Sequence, residues 1–357
     1  MITFFDLLQQ PDFRNSVYTH LADSFDTPYL FPEKLPPLYQ YKPLSKYAVD
    51  DICSGKITAT SIGEFNDLFD GALHRYGNKQ ERTAAAENKW SQLKSLCAAA
   101  NAGDIGLDHD YYVGLYKNHY KIDSRLKFRM LDYLGTYVSC FTTRNNVVLM
   151  WAHYARSNTG ICVEYDFNKL PENHILTKSI FPVRYSDVPV DLSDLLDDNY
   201  TGNCKNLLEA AVLCSALNKS SVWSYEDEWR LVWVLASEMD SMRRIPLKTG
   251  IIPSRICFGY HFLRPLFYYS EADYKDAKSN MEQLLRLLDF IDKHNIPISI
   301  MMPVIGQYTL ESYSLEAKKI TQFITQCFDD QEPEDIRYYH TVHDELKDLL
   351  DDDTTSD

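Results

Sequence analysis

The stretch from Trp223 to Val234, W-S-Y-E-D-E-W-R-L-V-W-V, carries residue types that could do chemistry. Successive side chains of a strand point to opposite faces, so a strand here would place Glu226, Glu228 and Arg230 together on one face. The apolar run from Leu231 to Ala236 predicts that the strand is buried. Two carboxylates entering a buried strand, beside tryptophans, predict a site that keeps a carboxylate for chemistry. The alternative is a structural ion-pair network at a sheet edge.

A second candidate is the loop E-F-N-D-L-F-D, which brings Asn66, Asp67 and Asp70 close together in sequence. Phe65 and Phe69 would give this loop an apolar wall, as in a loop that lines a ligand cleft. Asn and Asp also close turns by hydrogen bonding to nearby backbone groups. A plain turn is therefore the alternative to a substrate-binding loop.

The histidines do not form the pattern of a metal site. His340 and His343 are three residues apart, but no third ligand is fixed near them, so we predict no metal here. His153, within M-W-A-H-Y-A, is either a hydrogen-bonded structural residue or a member of the site. The sequence lacks a nucleophile elbow, a P-loop and a G-x-G-x-x-G motif, which disfavours Walker-type hydrolysis and Rossmann cofactor binding.

The negative charge is concentrated at the C-terminus. The chain has a formal net charge of -15. Residues 329–357 hold twelve Asp or Glu against Arg337 and Lys347, a net of -10, which leaves -5 for the rest. Uniform attraction to nucleic acid or anionic lipid is therefore disfavoured, while a local basic groove is compatible with this balance.

Cysteine usage and hydropathy favour a cytoplasmic protein with no membrane association. The eight cysteines include no C-x-x-C pair and no dense framework, which is typical of a reduced compartment. The N-terminus lacks a basic region followed by an apolar core, and no segment approaches the roughly 18 apolar residues of a membrane span.

We divide the chain into an N-terminal arm over residues 1–38, one domain over 39–328 and an acidic tail over 329–357. A helical insertion is predicted near 80–134, where an alanine- and lysine-rich stretch precedes a tyrosine-rich one. Apolar residues recur at helical spacing in the tail, which would suit docking of a partner protein. A solvated chain end is the alternative.

Alternation and turn residues predict strands at L-Y-Q-Y-K-P-L and K-I-T-A-T-S, with a helix between them that ends at Gly55. Further helices are predicted over V-V-L-M-W-A-H-Y-A, with positions 148, 149, 151, 152 and 155 on one face, over Asn206 to Lys219, and over Glu271 to Lys293. Further strands are predicted at Y-V-S-C-F-T-T, I-C-V-E-Y-D-F, F-P-V-R-Y-S, R-R-I-P-L, R-I-C-F-G and I-P-I-S-I-M-M-P-V-I.

These elements interleave without a regular βα period. The pattern favours an α+β fold, with a mixed and mostly antiparallel central sheet and helical insertions, over a doubly wound sheet.

Six motifs occur in the order found in a bacterial family, and the chain resembles domain-of-unknown-function family 2971. They are L-Y-Q-Y-K, E-F-N-D-L-F-D, C-F-T-T-R-N-N, L-M-W-A-H-Y-A-x-x-x-x-G-I-C-V-E-Y-D, V-R-Y and W-S-Y-E-D-E-W-R-L. The resemblance covers roughly Tyr39 to Tyr308. One departure is Leu68, where the family loop usually has proline. The family name implies no activity.

A second likeness is to ADP-ribosyltransferases, especially those that modify nucleic acid. It is carried by Y-Q-Y-K, D-D-I-C-S-G-K-I, S-C-F-T-T and E-D-E-W-R-L-V-W, in that order. The first motif departs from the family, since it offers Tyr41 and Lys42 where Arg or His is usual. The likeness implies an ADP-ribosyltransferase-like core with NAD as substrate.

This likeness also implies roles for particular residues. Breaking the nicotinamide glycosidic bond builds positive charge on the ribose, which a carboxylate facing that sugar would stabilise. The implied roles are Glu228 as catalytic carboxylate with Glu226 second, Tyr41 and Lys42 at NAD, Thr142 and Arg144 at the middle strand, and Tyr154 as stacking ring. Asn66, Asp67, Asp70, His153 and Arg230 would surround the substrate.

Three functional hypotheses follow. The first is an ADP-ribosyltransferase-like enzyme that modifies nucleic acid or protein as a bacterial toxin or antiphage effector. The second is a non-enzymatic sensor whose access is regulated by the acidic tail. The third is a metal-dependent nuclease using Asp67, Asp70, Glu226 and Glu228. The transferase hypothesis requires Glu228 to share one pocket with its partners from distant motifs, namely Tyr41, Thr142 and Tyr154.

Overall fold

A computed structural model of the protein describes residues 4–21, 32–67, 69–71, 79–99, 108–111, 113, 135–171, 174–187, 207–234, 243–266 and 271–329. The acidic tail beyond 329 and most of the tyrosine-rich part of the insertion lie outside these residues. Among the described helices, none combines the length and the apolar character needed to cross a lipid bilayer.

Eight α-helices are described. They are α1 (Phe4–Leu8), α2 (Pro11–Leu21), α3 (Lys46–Cys53), α4 (Lys79–Ala99), α5 (Val148–His153), α6 (Leu207–Ala216), α7 (Glu271–His294) and α8 (Ala317–Asp329).

Twelve strands are described, and ten of them form one sheet. The strands are β1 (Leu38–Lys42), β2 (Lys56–Ser61), β3 (Thr136–Thr142), β4 (Ile161–Tyr165), β5 (Ile180–Pro182), β6 (Arg184–Ser186), β7 (Asn218–Ser220), β8 (Glu228–Val234), β9 (Arg244–Lys248), β10 (Arg255–Phe258), β11 (Ile298–Pro303) and β12 (Leu310–Leu315).

The large sheet is mixed and mostly antiparallel. Its order is β12-β11-β10-β4-β1-β3-β2-β9, with β8 paired to β3 and β5 paired to β8. Only the β10–β11 pair in this sheet is parallel among the described strands. β6 and β7 form a separate parallel pair. The α+β prediction is therefore confirmed.

The sheet divides at β3. Every residue of β3 pairs with β8 along one side. Along its other side, β3 meets β1 at Thr142 and meets β2 only at Tyr137 and Val138. Between these points the Gln40 side chain donates to the Ser139 hydroxyl at 2.9 Å and to the Cys140 carbonyl at 3.2 Å. β1 and β2 thus separate, and an opening lies between them.

Apolar packing covers both faces of the sheet. The largest buried cluster packs α3, α7 and α8 against one face and includes Phe141, Trp229 and Leu231. On the other face, α1, α2 and α6 bury Val138 and Val232. A smaller cluster around Trp151 lies further along that second face. The second face is left open between these two clusters.

The local signals placed several elements correctly. β1, α3 and β2 lie where they were predicted. Ser45 fixes the start of α3, because its side chain accepts a hydrogen bond from the N–H of Ala48. Gly55 follows the helix with φ +59°, a conformation that favours glycine, and the chain turns there into β2.

The stretch around the two glutamates is not one strand, which corrects the prediction. Ser221–Glu226 is a 3₁₀ helix, and Asp227 has the left-handed φ of +45°. β8 begins only at Glu228. The relative positions of the Glu226 and Glu228 side chains are therefore set by this turn and not by strand alternation.

Three other predictions are corrected. The helix that starts near 206 ends at Ala216, because the chain leaves it to form β7 around Lys219. F-P-V-R-Y-S is two strands, since β5 pairs with β8 and β6 with β7. In α5, Val148 and Leu149 are exposed and Met150 is buried beside Trp151, so the predicted apolar face is wrong at its start. β12 and α8 were not predicted.

Candidate active site

A cavity of about 250 Å³ opens where β1 and β2 separate. It brings together predicted residues from distant motifs: Tyr41, Asn66, Asp70, Thr142, Tyr154, Glu226, Glu228 and Arg230. The remaining lining residues are Tyr39, Gln40, Thr58, Thr60, Phe65, Val138, Ser139, Cys140, Phe141, Met150 and Lys219. The four residues named above as needing to share one pocket, Tyr41, Thr142, Tyr154 and Glu228, are all among these lining residues.

Five buried charged side chains, here called the charge cluster, form one wall: Asp70, Lys219, Glu226, Glu228 and Arg230. Arg230 has no exposed surface. Its terminal nitrogens donate to both oxygens of Asp70, at 2.7 and 2.6 Å, and its Nε donates to Glu228 at 2.8 Å. A further bond of 2.7 Å to the Ala216 carbonyl fixes the guanidinium. Arg230 therefore ties the loop, α6 and β8 together.

Lys219 joins the two glutamates. Its Nζ lies 2.6 Å from Glu226 Oε2, 2.9 Å from Glu228 Oε2 and 3.9 Å from Asp70. The ammonium also lies 5.2 Å from the centre of the Trp223 ring. With three carboxylates and two cations, the charge cluster has a net charge of -1 when all five groups are ionised. Such a wall favours a ligand that is cationic or becomes cationic.

The two glutamates differ in free hydrogen-bonding capacity. The Glu228 oxygens accept two bonds from Arg230, at 2.8 and 3.0 Å, and one from Lys219. Glu226 accepts one bond on each oxygen, from the Tyr154 hydroxyl at 2.7 Å and from Lys219 at 2.6 Å. A carboxylate offers about four acceptor positions. Glu226 therefore retains more capacity to accept from a ligand.

The pKa values of the glutamates move in opposite directions. Burial opposes ionisation of Glu228, but Arg230 and Lys219 outweigh it and lower its pKa to about 2. Burial raises the pKa of Glu226, and the opposing effect of Lys219 does not cancel it. Paired carboxylates whose pKa values are driven apart are typical of sites that do acid–base chemistry.

Neighbouring groups hold these carboxylates in place. Burial and the bond to Glu226 raise the pKa of Tyr154, so its hydroxyl stays protonated and donates. The Glu228 N–H donates to the Tyr185 hydroxyl at 2.8 Å, and the Glu228 carbonyl accepts from the Val183 N–H. Burial and then Glu228 raise the pKa of Cys140 well above its usual value. Cys140 is therefore a neutral thiol in the cavity wall.

The turn after β3 is fixed against β1. The Tyr41 hydroxyl donates to the Arg144 carbonyl at 3.1 Å, and its ring makes an edge contact with Trp151 at 5.1 Å. The Arg144 N–H donates to the Thr142 hydroxyl at 3.1 Å. The hydroxyls of Tyr41 and Thr142 are thus committed to the protein, which leaves their remaining surface to line the cavity.

Four predicted residues do not line the cavity. Lys42 lies 3.9 Å from Asp51 of α3. Asp67 accepts from the Phe69 N–H at 2.9 Å, which is the turn-closing role. His153 is exposed, with its Nδ1 3.4 Å from the Tyr225 hydroxyl. Arg144 is exposed beside Thr142, two residues from the cavity.

Lys219 is the main site residue that sequence reasoning missed. The predicted helix extended through it, which made it one more surface lysine. N-K-S-S, at residues 218–221, holds residues that compete with a helix by bonding to their own backbone. That composition was the available signal that the helix had ended.

The carboxylates do not form a metal centre. Among the residues that the structure describes, no group of three or more His, Cys, Asp or Glu side chains is arranged to hold a metal ion. Arg230 and Lys219 already bond to the carboxylates at 70, 226 and 228. The nuclease hypothesis gains no support from this arrangement.

Fold and site together define the class of protein: an α+β protein whose sheet divides around a cavity with a buried, net negative charge cluster. The model of a family described as a protein of unknown function (DUF2971) matches residues 150–231. This confirms the predicted resemblance over a segment that holds Tyr154 and four of the five charge-cluster residues. Neither the curated proteins nor the solved structures gave a match.

Proposed function

We propose that this protein is an ADP-ribosyltransferase-like enzyme that uses NAD as its substrate and modifies a nucleic acid or a protein. One observation carries the proposal: Tyr41, Thr142, Tyr154 and Glu228, from four separate motifs, line a single cavity. Three of them, Tyr41, Thr142 and Glu228, lie in motifs of the ADP-ribosyltransferase likeness, and they follow its order along the chain.

The charge cluster suits the first half of this reaction. When the bond between nicotinamide and the ribose carbon breaks, nicotinamide leaves with the electron pair and positive charge grows on the sugar. A buried wall with a net charge of -1 stabilises that charge more strongly than water-exposed groups would. The likeness gives Glu228 the position facing the sugar, but Arg230 and Lys219 already donate three bonds to it. We therefore propose that Glu226, which has more free acceptor capacity, faces the sugar and that Glu228 holds the two cations in place.

Glu226 also suits the second half. An oxygen or nitrogen of the acceptor forms a bond to the same ribose carbon and loses a proton. Burial raises the pKa of Glu226, and a raised carboxylate pKa makes it a better base near neutral pH. In our proposal Glu226 takes this proton, and Tyr154 orients the carboxylate through its 2.7 Å bond.

The cavity size limits which part of NAD enters. Pockets that enclose a whole drug-sized ligand measure roughly 300–1,000 Å³, and this one measures about 250 Å³. We therefore place nicotinamide and its ribose inside, with the Tyr154 ring as a stacking surface. The pyrophosphate stays at the rim, where the exposed Arg144 is a suitable partner. Lys42, directed at Asp51, is not part of this arrangement.

The test is a transfer assay with NAD labelled on its adenylate. Purified protein is incubated with labelled NAD and bacterial lysate, and both label transfer and free nicotinamide are measured. We expect transfer by wild type and by the exposed control Glu282→Gln on α7. Glu226→Gln should lose about 100-fold or more, the usual contribution of a general base. Absence of both label transfer and nicotinamide release with wild type would refute the proposal.

The proposed setting is the bacterial cytoplasm, where the enzyme acts as a toxin or antiphage effector. Induced expression of wild type should then slow bacterial growth, and Glu226→Gln should relieve that effect at equal protein level. Growth inhibition that persists with Glu226→Gln would favour a different function.

That different function is a non-enzymatic sensor. Its supporting observation is that Arg230 and Lys219 already occupy the oxygens of Glu228, as in a structural ion-pair network. A sensor would keep its biological effect in the Glu226→Gln variant and show no NAD consumption.

A further inference from the structure

Three cations lie on one face of the β2–β9 ribbon, and we call them the basic strip: Lys56, Arg244 and Lys248. The two strands are antiparallel, with Lys56 opposite Lys248 and Thr60 opposite Arg244. Residues directly opposite each other in an antiparallel pair project from the same face. The intervening residues Ile57 and Ala59 are buried on the other face.

The basic strip is continuous with the cavity. Strand alternation places Thr58 and Thr60 on the same face as Lys56, and both threonines line the cavity. Thr60 also pairs with Val138 of β3, another lining residue. One sheet face therefore runs from the acidic cavity wall to a positively charged edge strand.

The three cations of the strip have no close carboxylate partner among the residues that the structure describes. None of the three cations lies in an ion pair there, whereas nearby Asp50 bonds to Arg286 and Glu64 to Arg243. Like charges directly opposite in a sheet are unfavourable, yet Lys56 faces Lys248. A bound polyanion would remove that repulsion. Such a strip is notable on a chain with a formal net charge of -15.

Aromatic rings accompany the loop that enters the cavity. Phe65 lines the cavity, and its ring centre lies 5.4 Å from the Arg230 guanidinium carbon. Phe69 is 68% exposed and directly precedes Asp70 of the charge cluster. An exposed phenylalanine has little reason to face water, but it offers a surface on which a nucleobase can stack.

We propose that the basic strip and Phe69 bind single-stranded nucleic acid. The phosphates would contact the strip and one base would stack on Phe69, which combines the two interactions typical of single-strand binding. A duplex is disfavoured, because its bases are already stacked and the cavity is small. If the protein transfers ADP-ribose, as proposed above, the acceptor of that transfer is nucleic acid.

The test measures binding without NAD, so its outcome is separate from that of the transfer assay. Fluorescence anisotropy follows a labelled 16-nucleotide single strand titrated with the full-length protein at several salt concentrations. Three phosphate contacts predict that log Kd rises with log salt with a slope of about 2. Affinity should therefore fall about 20-fold between 50 and 200 mM salt.

The decisive triple variant combines Lys56→Gln, Arg244→Gln and Lys248→Gln. The control triple variant combines Lys278→Gln, Lys293→Gln and Lys318→Gln, and it removes three positive charges from α7 and α8 instead. The first triple should lose most of the salt dependence and at least 10-fold in affinity, while the second should resemble wild type. Phe69→Ala should weaken binding about 5- to 100-fold. Thermal unfolding confirms that the variants are folded.

Three results would overturn the inference. The first is no binding by wild type at 50 mM salt, and the second is equal weakening by both triple variants. The third is competition by polyglutamate as effective as that by unlabelled oligonucleotide at equal charge, which would point to an acidic protein partner.

Discussion

Replacement of Glu228 by glutamine tests the charge cluster most directly, because the side chain keeps its size and loses its charge. Glu228 is buried between Arg230 and Lys219. Its pKa falls from 4.5 to about 2, against the effect of burial and through these two cations. That drop corresponds to about 3 kcal/mol of stabilisation at neutral pH. Loss of one partner of a buried ion pair typically costs about 3–5 kcal/mol, in agreement with this value.

The pH dependence has a defined sign. A carboxyl group whose pKa is lower in the folded state stabilises the protein above its unfolded pKa, and the stabilisation disappears as pH falls towards the folded value. The difference in stability between wild type and Glu228→Gln should therefore be constant above about pH 4.5. It should shrink between pH 4.5 and about 2.

Urea and thermal unfolding followed by tryptophan fluorescence provide the assay. At pH 7 we expect Glu228→Gln to lower the midpoint of thermal unfolding by about 5–10 °C, while Glu282→Gln on the exposed face of α7 leaves it unchanged. The reasoning is refuted if Glu228→Gln lies within about 0.5 kcal/mol of wild type at pH 7. A difference that widens as pH falls below 4.5 would refute it equally.

Three further predictions concern the site and its frame. Glu226→Gln should change the unfolding midpoint at pH 7 by less than half as much as Glu228→Gln does. Burial raises the pKa of Glu226, which means that the ionised Glu226 carboxylate costs stability in the folded protein. Wild type should gain on this variant as pH falls through that raised pKa. Cys140 should react slowly with a thiol reagent at pH 8 until urea is added, since burial and the adjacent carboxylate raise its pKa; mass spectrometry of the labelled peptide checks this. Gly160→Ala should destabilise by about 1–3 kcal/mol or more, because a Cβ there would overlap the Lys42 carbonyl oxygen; urea unfolding measures the loss.

Elements with strong local signals could be predicted from the sequence. The segment from β1 to β2 combines strand alternation, a capping serine and a glycine at the left-handed position, so each signal agrees with the fold. β12 lacked such a signal, because its L-E-S-Y-S-L has apolar residues only at its ends and its middle is exposed. It exists because β11 offers a full row of partners, which no local pattern shows.

The two glutamates and Arg230 could be assigned to the site from the sequence, whereas the two lysines could not be placed correctly. Glu226, Glu228 and Arg230 stood out as a charged group leading into an apolar run. Lys219 did not, because its position depends on where α6 ends and on the pairing of β6 with β7. The ADP-ribosyltransferase likeness assigns Lys42 to the site through its first motif, but strand alternation turns this side chain towards α3. Which residues meet depends on where β1 and β2 leave β3, and that is a property of the whole sheet.

The Asp70–Arg230 pair has a consequence for the order of folding. It joins residues 160 positions apart, whereas Lys219 and Glu228 are 9 apart. Short loops close with a smaller loss of chain entropy than long ones, so the segment from β7 to β8 can assemble its part of the network early. Arg230 then lacks its second carboxylate partner until the loop that carries Asp70 docks against it. The charge cluster would thus be completed only when the two distant parts of the chain have met, so the acidic wall of the cavity forms late in folding.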